Sequence, residues 1–214
     1  SLAGDERAEA ASLADEWGLR WSEVETHEMV DAAYRVNDAD RCGRCKDALM
    51  DVLDPIAVRE SATVVLGVNV DDLGDHRPGQ AVASERGARF PLVEAGMTKA
   101  DVRYHSRRLG LRTADKPAAA CLASRIPYGS EVTVDVLTAV ERAEAALRRL
   151  GFADLRVRHY DDAARLEVPT DRLAEVVERR TEVVAAVAAA GYAYVTLDLE
   201  GLRSGNLNQA LDGG

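Results

Sequence analysis

From Val132 onward the spacing of the apolar residues switches repeatedly between the helical period of about 3.6 and the strand period of 2. The stretch TVDVLTAVERAEAALRRLGF reads as a helix, DLRVRHY and ARLEVP as two strands, DRLAEVVERRTEVVAAVAAAG as a second helix, and YAYVTLDLE as a third strand. Five such elements predict a small α+β unit with its own sheet. We therefore divide the chain into an α/β domain over residues 1–128 and an α+β domain over 129–214.

The first domain has a different rhythm. Ala8, Ala11, Leu13 and Trp17 sit at helical spacing, and RWSEVET alternates like a short strand. ALMDVLDPIAVRE reads as a helix broken near Pro55, and the apolar run from Thr63 to Val70 as a buried parallel strand. Ligands in open α/β sheets gather beyond the carboxyl ends of strands, which places Asn69, Asp71 and Asp72 where a site would form. A turn that satisfies its own backbone explains the same residues. GQAVASERGA predicts another helix, and Thr98 with Asp101 forms a capping-box start for a helix ending near Gly110. The segment RTADKPAAACLASRIPYGSEV has no period and reads as a long loop joining the halves.

The chain has 214 residues, and its 47% apolar and 30% charged residues suit two modest soluble domains. Its formal charge of -10 repels a polyphosphate backbone, so no nucleic-acid partner is expected, although a local basic patch can still hold one small phosphate. No apolar run reaches the roughly 18 to 20 residues that span a bilayer, and the N-terminal SLAGDERAEA lacks the order of a secretory signal. The expectation is a cytoplasmic protein without a membrane partner.

Three cysteines in a reducing compartment argue for metal, cluster or redox chemistry rather than a disulfide framework. Cys42 and Cys45 form a CxxC within DRCGRCK. A tetrahedral zinc site needs four ligands, and neither a second CxxC nor a His pair is present. Three thiolates from Cys42, Cys45 and Cys121 would suit a cubane iron–sulfur cluster with one open iron, provided Cys121 approaches the pair. Alternatively, Cys121 is a small core residue and the CxxC an ordinary helix turn.

In DLRVRHY the strand period puts Arg156 and Arg158 on one face, and two guanidinium forks side by side suit a phosphate. Carboxylates within the protein, from Glu167, Asp198 or Glu200, could satisfy the same pair. Glu144 lies almost over Leu137 on the apolar stripe of its helix, where it could ligate a metal, meet an arginine or reach out to water. The tail GLRSGNLNQ is a donor-rich turn.

Together NDADRCGRCK, GVNVDDLGDHRPG, PLVEAGMTKADVR, DKPAAACLASRIPYG, LRVRHYDDAARLEV and VTLDLEGLRSGNLN resemble the LarE family, ATP-dependent sulfur transferases of nickel-pincer cofactor synthesis. The resemblance covers nearly the whole chain. It implies a Rossmann-like ATP-pyrophosphatase domain of the PP-loop, adenine nucleotide alpha hydrolase-like type, followed by a small α+β domain. It also implies a homo-oligomer, often a hexamer, acting with the other nickel-pincer synthesis proteins. The implied reaction adenylates a carboxylate of pyridinium-3,5-biscarboxylic acid mononucleotide with ATP and Mg, then replaces the activated oxygen with sulfur. Cys42, Cys45 and Cys121 look like the branch whose three cysteines carry a [4Fe-4S] cluster, with Cys121 as the catalytic candidate.

By motif, Lys46 falls near the nucleotide phosphates, and Ser124, Arg156 and Arg158 fall at the substrate phosphate; Asp71 and Asp72, at the end of the expected strand, are the further cofactor-binding candidates. Glu144 and Glu167 occupy acidic positions linked in the family to a divalent metal in the C-terminal domain. The chain lacks the SGGxDS loop that cradles ATP phosphates, and its start matches a point beyond that loop, so an N-terminally incomplete α/β domain is expected. A tRNA-thiolating relative and a non-catalytic iron–sulfur or metal-binding scaffold are the competing functions.

Overall fold

The computed structural model describes residues 2–74, 78–117 and 120–203. It is a helix-rich mixed α/β chain with one small sheet. In chain order the helices are α1 (Gly4–Glu16), α2 (Ala32–Arg35), α3 (Arg41–Glu60), α4 (Pro78–Glu85), α5 (Pro91–Glu94), α6 (Lys99–Arg108), α7 (Val134–Arg149), α8 (Leu173–Glu178) and α9 (Arg180–Ala188). The strands are β1 (Arg156–Tyr160), β2 (Ala163–Glu167) and β3 (Tyr194–Leu197). Among the described residues the chain divides into two compact units. One holds residues 2–22, 35–38 and 120–203, and the other residues 23–34 and 39–117.

The unit containing the sheet is built on α7. Thr133 caps its start by accepting a hydrogen bond from the Val136 amide at 3.2 Å, and Arg148 and Arg149 complement the dipole at its end. Gly151, at φ +95°, then turns the chain in a conformation that side chains oppose. Leu137, Val140, Ala143 and Leu147 form the buried stripe. β1 and β2 make an antiparallel hairpin closed by Asp161 and Asp162, and β3 joins β2 in parallel after the α8–α9 crossover, giving the order β1-β2-β3. One face of the sheet, with Val157, Ala164, Leu166, Val195 and Leu197, packs on Ala143, Leu147, Val183 and Val187. Each large side chain buried there contributes on the order of 1.5–3 kcal/mol.

Residues 35–38 belong to this unit because Asn37 is fully buried in it. Its side-chain amide reaches the carbonyls of Pro127 at 2.7 Å and Ser130 at 2.9 Å, while its own carbonyl accepts from the Gly129 amide at 3.0 Å. The left-handed Asn37 backbone, at φ +61°, aims both groups at the same loop.

In the other unit, α3 runs unbroken through Pro55 from Arg41 to Glu60, where the sequence predicted a break. A proline removes one backbone hydrogen bond, and a helix of 20 residues packed along α4 keeps enough of the others. The capping box of α6 forms as predicted. Thr98 accepts from the Asp101 amide, and Asp101 accepts from the Thr98 amide at 2.9 Å. Two expected strands are absent: residues 20–26 have no regular secondary structure and are mostly exposed, and the stretch from Thr63 to Val70 forms only a parallel bridge between Val65 and Arg89. Val65 is 58% exposed, since burial of a parallel strand needs a neighbour on each side and the described residues provide one.

Candidate functional site

The α7–sheet unit concentrates charge on the face of the sheet opposite its core. Arg158 is buried and binds Glu167 through two contacts, Nε to Oε1 and Nη2 to Oε2, both 2.9 Å. Its third donor, Nη1, gives a hydrogen bond to the backbone carbonyl of Ser124 at 2.7 Å. Arg125 repeats the arrangement with Glu144, Nε to Oε1 at 2.8 Å, and turns Nη1 to the Ser124 hydroxyl at 2.9 Å and the Ala120 carbonyl at 3.2 Å. Glu144 is 1% exposed, and it also accepts from Arg148 at 2.8 Å and from the Val157 amide at 3.1 Å. Bidentate, fully desolvated pairs of this kind are costly to break from one side, about 3–5 kcal/mol.

Arg156 differs from its neighbours. Its Nη1 donates a hydrogen bond to the backbone carbonyl of Arg203 at 2.6 Å. Burial holds its guanidinium below the usual arginine range, and the positive charges of Arg158 and Arg125 add to the effect, with Glu167 and Glu144 opposing it. The guanidiniums of Arg125, Arg148, Arg158 and Arg165 share the carboxylates of Glu144, Glu167 and Asp198, whereas Arg156, among the described residues, reaches only a main-chain carbonyl in this cluster. With Arg156 the cations outnumber the carboxylates, and the excess positive charge is concentrated at Arg156. An anion arriving there would relieve like-charge repulsion and find donors already fixed in place.

Ser124 closes this cluster. It lies in the short turn Leu122–Arg125, where its hydroxyl donates to the Cys121 carbonyl at 2.7 Å while accepting from Arg125. The Cys121 thiol is exposed at the start of that turn. The structure therefore gathers Ser124, Arg156 and Arg158 from the sequence-predicted set, and adds Glu144 and Glu167 as carboxylate partners of arginines. Among the described residues no three His, Cys, Asp or Glu side chains are grouped to hold a metal ion. Sequence reasoning missed the pairing of Glu144 with Arg125, 19 residues away, and with Arg148, although the i, i+4 spacing of Glu144 and Arg148 on one helix is a signal that could have found the second.

In the other unit, Cys42, Cys45 and Lys46 occupy the first turns of α3. Cys42 and Cys45 are three residues apart, which puts both on one side of the helix, and each is a thiol rather than part of a disulfide. Gly79 of α4 sets the approach to them: a Cβ there would lie 2.7 Å from the Cys42 carbonyl and 3.2 Å from the Lys46 Cβ. Asp71 and Asp72 stand in the turn Val70–Gly74. Asp71 accepts from the Lys99 amide at 2.7 Å at the start of α6, and Asp72 from the Asn69 amide at 3.2 Å, so both carboxylates bind backbone amides. No helix among the described residues is long and apolar enough to cross a membrane.

No family model matches the chain. It is 44% identical over 214 residues to an uncharacterized protein of Synechocystis sp., covering 99% of this chain and 80% of the relative. Over 208 residues it is 37% identical to the pyridinium-3,5-bisthiocarboxylic acid mononucleotide synthase of Lactiplantibacillus plantarum, covering 97% of this chain and 75% of that enzyme. A protein of Methanocaldococcus jannaschii shares 27% identity over 169 residues, or 78% of this chain and 66% of the relative.

Proposed function

Because the chain belongs to the LarE family, that of pyridinium-3,5-bisthiocarboxylic acid mononucleotide synthase, we propose that it is an ATP-dependent sulfur transferase of nickel-pincer cofactor synthesis. Its substrate on this reading is pyridinium-3,5-biscarboxylic acid mononucleotide, which is adenylated with release of pyrophosphate and then thiolated. The observation that carries the substrate class is the surplus cation at Arg156, beside two arginines already locked by carboxylates. A mononucleotide phosphate supplies the charge this cluster lacks.

The roles follow from the chemistry of the side chains. Arg156 and Arg158 hold the substrate phosphate, with Ser124 fixing the turn beside them. Glu144 and Glu167 serve to orient Arg125 and Arg158. To take a divalent metal they would first have to release those arginines. Lys46, Asp71 and Asp72 belong on this reading to the handling of ATP and Mg in a PP-loop-type domain. A carboxylate resists nucleophilic attack, and its anhydride with AMP offers sulfur a good leaving group.

Cys42, Cys45 and Cys121 are thiols, and soft sulfur donors fit an iron–sulfur centre. A [4Fe-4S] cluster held by them would supply the sulfur to be transferred. Cys121 lies one turn from Arg125, in the same short segment that braces Arg158. The division into residues 1–128 for activation and 129–214 for substrate binding and oligomer formation, and a cytoplasmic location among the other nickel-pincer synthesis proteins, complete the proposal.

Mass spectrometry tests it directly. Protein reconstituted anaerobically with iron and sulfide, given ATP, Mg and the pyridinium dicarboxylate, should yield the thiocarboxylate product and pyrophosphate. Arg156→Ala should weaken substrate binding by about 1–3 kcal/mol through loss of charge-assisted hydrogen bonds. Pyrophosphate release that does not depend on the pyridinium nucleotide would refute the assignment.

A further inference from the structure

Beyond the phosphate cluster, the outer face of the sheet continues as a row that the proposed mechanism leaves unused. Register places Tyr160, Ala163 and Tyr194 side by side across β1, β2 and β3, on the same face as Arg158 and Arg165. The outer strands lie roughly 10 Å apart, so two tyrosines flank an alanine whose side chain is only a methyl group. Tyr160 is 40% and Tyr194 66% exposed. Along the strands this row is about 7 Å from the Arg158–Arg165 row, the reach of a sugar joining a phosphate to a ring.

Arg165 stands between the two rows. Its guanidinium lies over the Tyr160 ring, 5.1 Å from the centroid. One Nη2 contact reaches Glu167 at a long 3.3 Å, and the Asp198 carboxylate is 3.6 Å from Nε. That Nε is buried and donates to no acceptor, while the side chain as a whole stays 30% exposed, so the guanidinium is under-used by the protein and open to an incoming acceptor. Such a donor favours an anionic group on whatever enters.

We propose that Arg165, Tyr160, Ala163 and Tyr194 form the subsite for the pyridinium ring, with Arg165 binding a ring carboxylate while the two tyrosines wall the ring above Ala163. The assignment rests on the pyridinium mononucleotide reading given above. It makes Arg165 the residue that tells a ring acid from a ring amide, and it holds the ring by one carboxyl group while the other is free to react. Ring faces and tyrosine faces stack, and a cationic ring gains further from the π-systems on either side.

Calorimetric titration with nicotinate mononucleotide, nicotinamide mononucleotide and ribose 5-phosphate separates the parts. The parent protein should prefer the ring acid over the ring amide by roughly tenfold or more, the worth of one charge-assisted hydrogen-bonded contact. Arg165→Met should bring that ratio close to one and leave ribose 5-phosphate binding unchanged. Ala163→Leu, which fills the slot without touching a charge, should weaken both mononucleotides and spare ribose 5-phosphate. Arg165→Gln provides the same comparison if the methionine variant does not fold. A parent that prefers the ring acid, with a variant that keeps the preference, overturns this subsite alone, as does a parent without any preference. A parent that binds ribose 5-phosphate but neither mononucleotide overturns both the subsite and the pyridinium substrate. Failure to bind all three overturns the phosphate site as well.

Discussion

At the scale of single residues, the decisive fact is that Glu167 is fully buried against two arginines. Arg158 meets its charge with a bidentate pair, and Arg165 adds a longer contact. Glu167→Gln would leave Arg158 desolvated opposite a neutral amide, and urea denaturation should show a loss of about 3–5 kcal/mol. His159, next in the strand, faces the other way and meets the Tyr192 hydroxyl at 3.3 Å. Burial holds its imidazole below the usual histidine range, with Asp161 opposing the shift. The folded form therefore disfavours the proton that the unfolded chain accepts near pH 6.5. Its contribution to stability is complete above that pH and is lost as pH falls through the lower folded value. His159→Gln should flatten the decline in melting temperature between pH 7 and pH 5, and an unchanged slope would remove His159 from the account.

At the scale of elements, the contact of α4 with α3 depends on Gly79. Gly79→Ala would drive a methyl group against the Cys42 carbonyl, so the helices must part. Overpacking of this kind costs about 1–3 kcal/mol, readable as a lowered melting temperature, with thiol-reagent kinetics reporting the change at Cys42 and Cys45. The helices α6 and α7 were legible in the sequence because their signals are local: the cap at Thr98 for α6, and an apolar stripe at i, i+3 and i+4 for α7. The strand expected from Thr63 to Val70 was not, because an apolar run records a wish for burial and says nothing of which neighbours will supply it. The Arg156–Arg158 face could be read from a period of 2, whereas the carboxylates that claim Arg158 and spare Arg156 were settled by register and by the turn carrying Arg125.

At the scale of the molecule, the two units differ in what holds them together. Among the described residues, the sheet unit has a continuous core running from Ala143 through Phe152, Leu166 and Val187 to Tyr192, whereas the other relies on Met50, Ala83 and Ala88 with partly buried neighbours. Hydrogen exchange should therefore find amides of α7 and β1–β3 protected well beyond those of α4 and α6. Equal protection would contradict that ranking. The brace from Arg158 to the Cys121 turn has a subtler outcome, since it ends on the Ser124 carbonyl and not on its side chain. An alanine scan leaves a main-chain acceptor in place, so Ser124→Ala trims the hydroxyl and keeps the tether. Only an ester in the backbone, or removal of Arg158 itself, would let the thiol-bearing turn drift from the sheet.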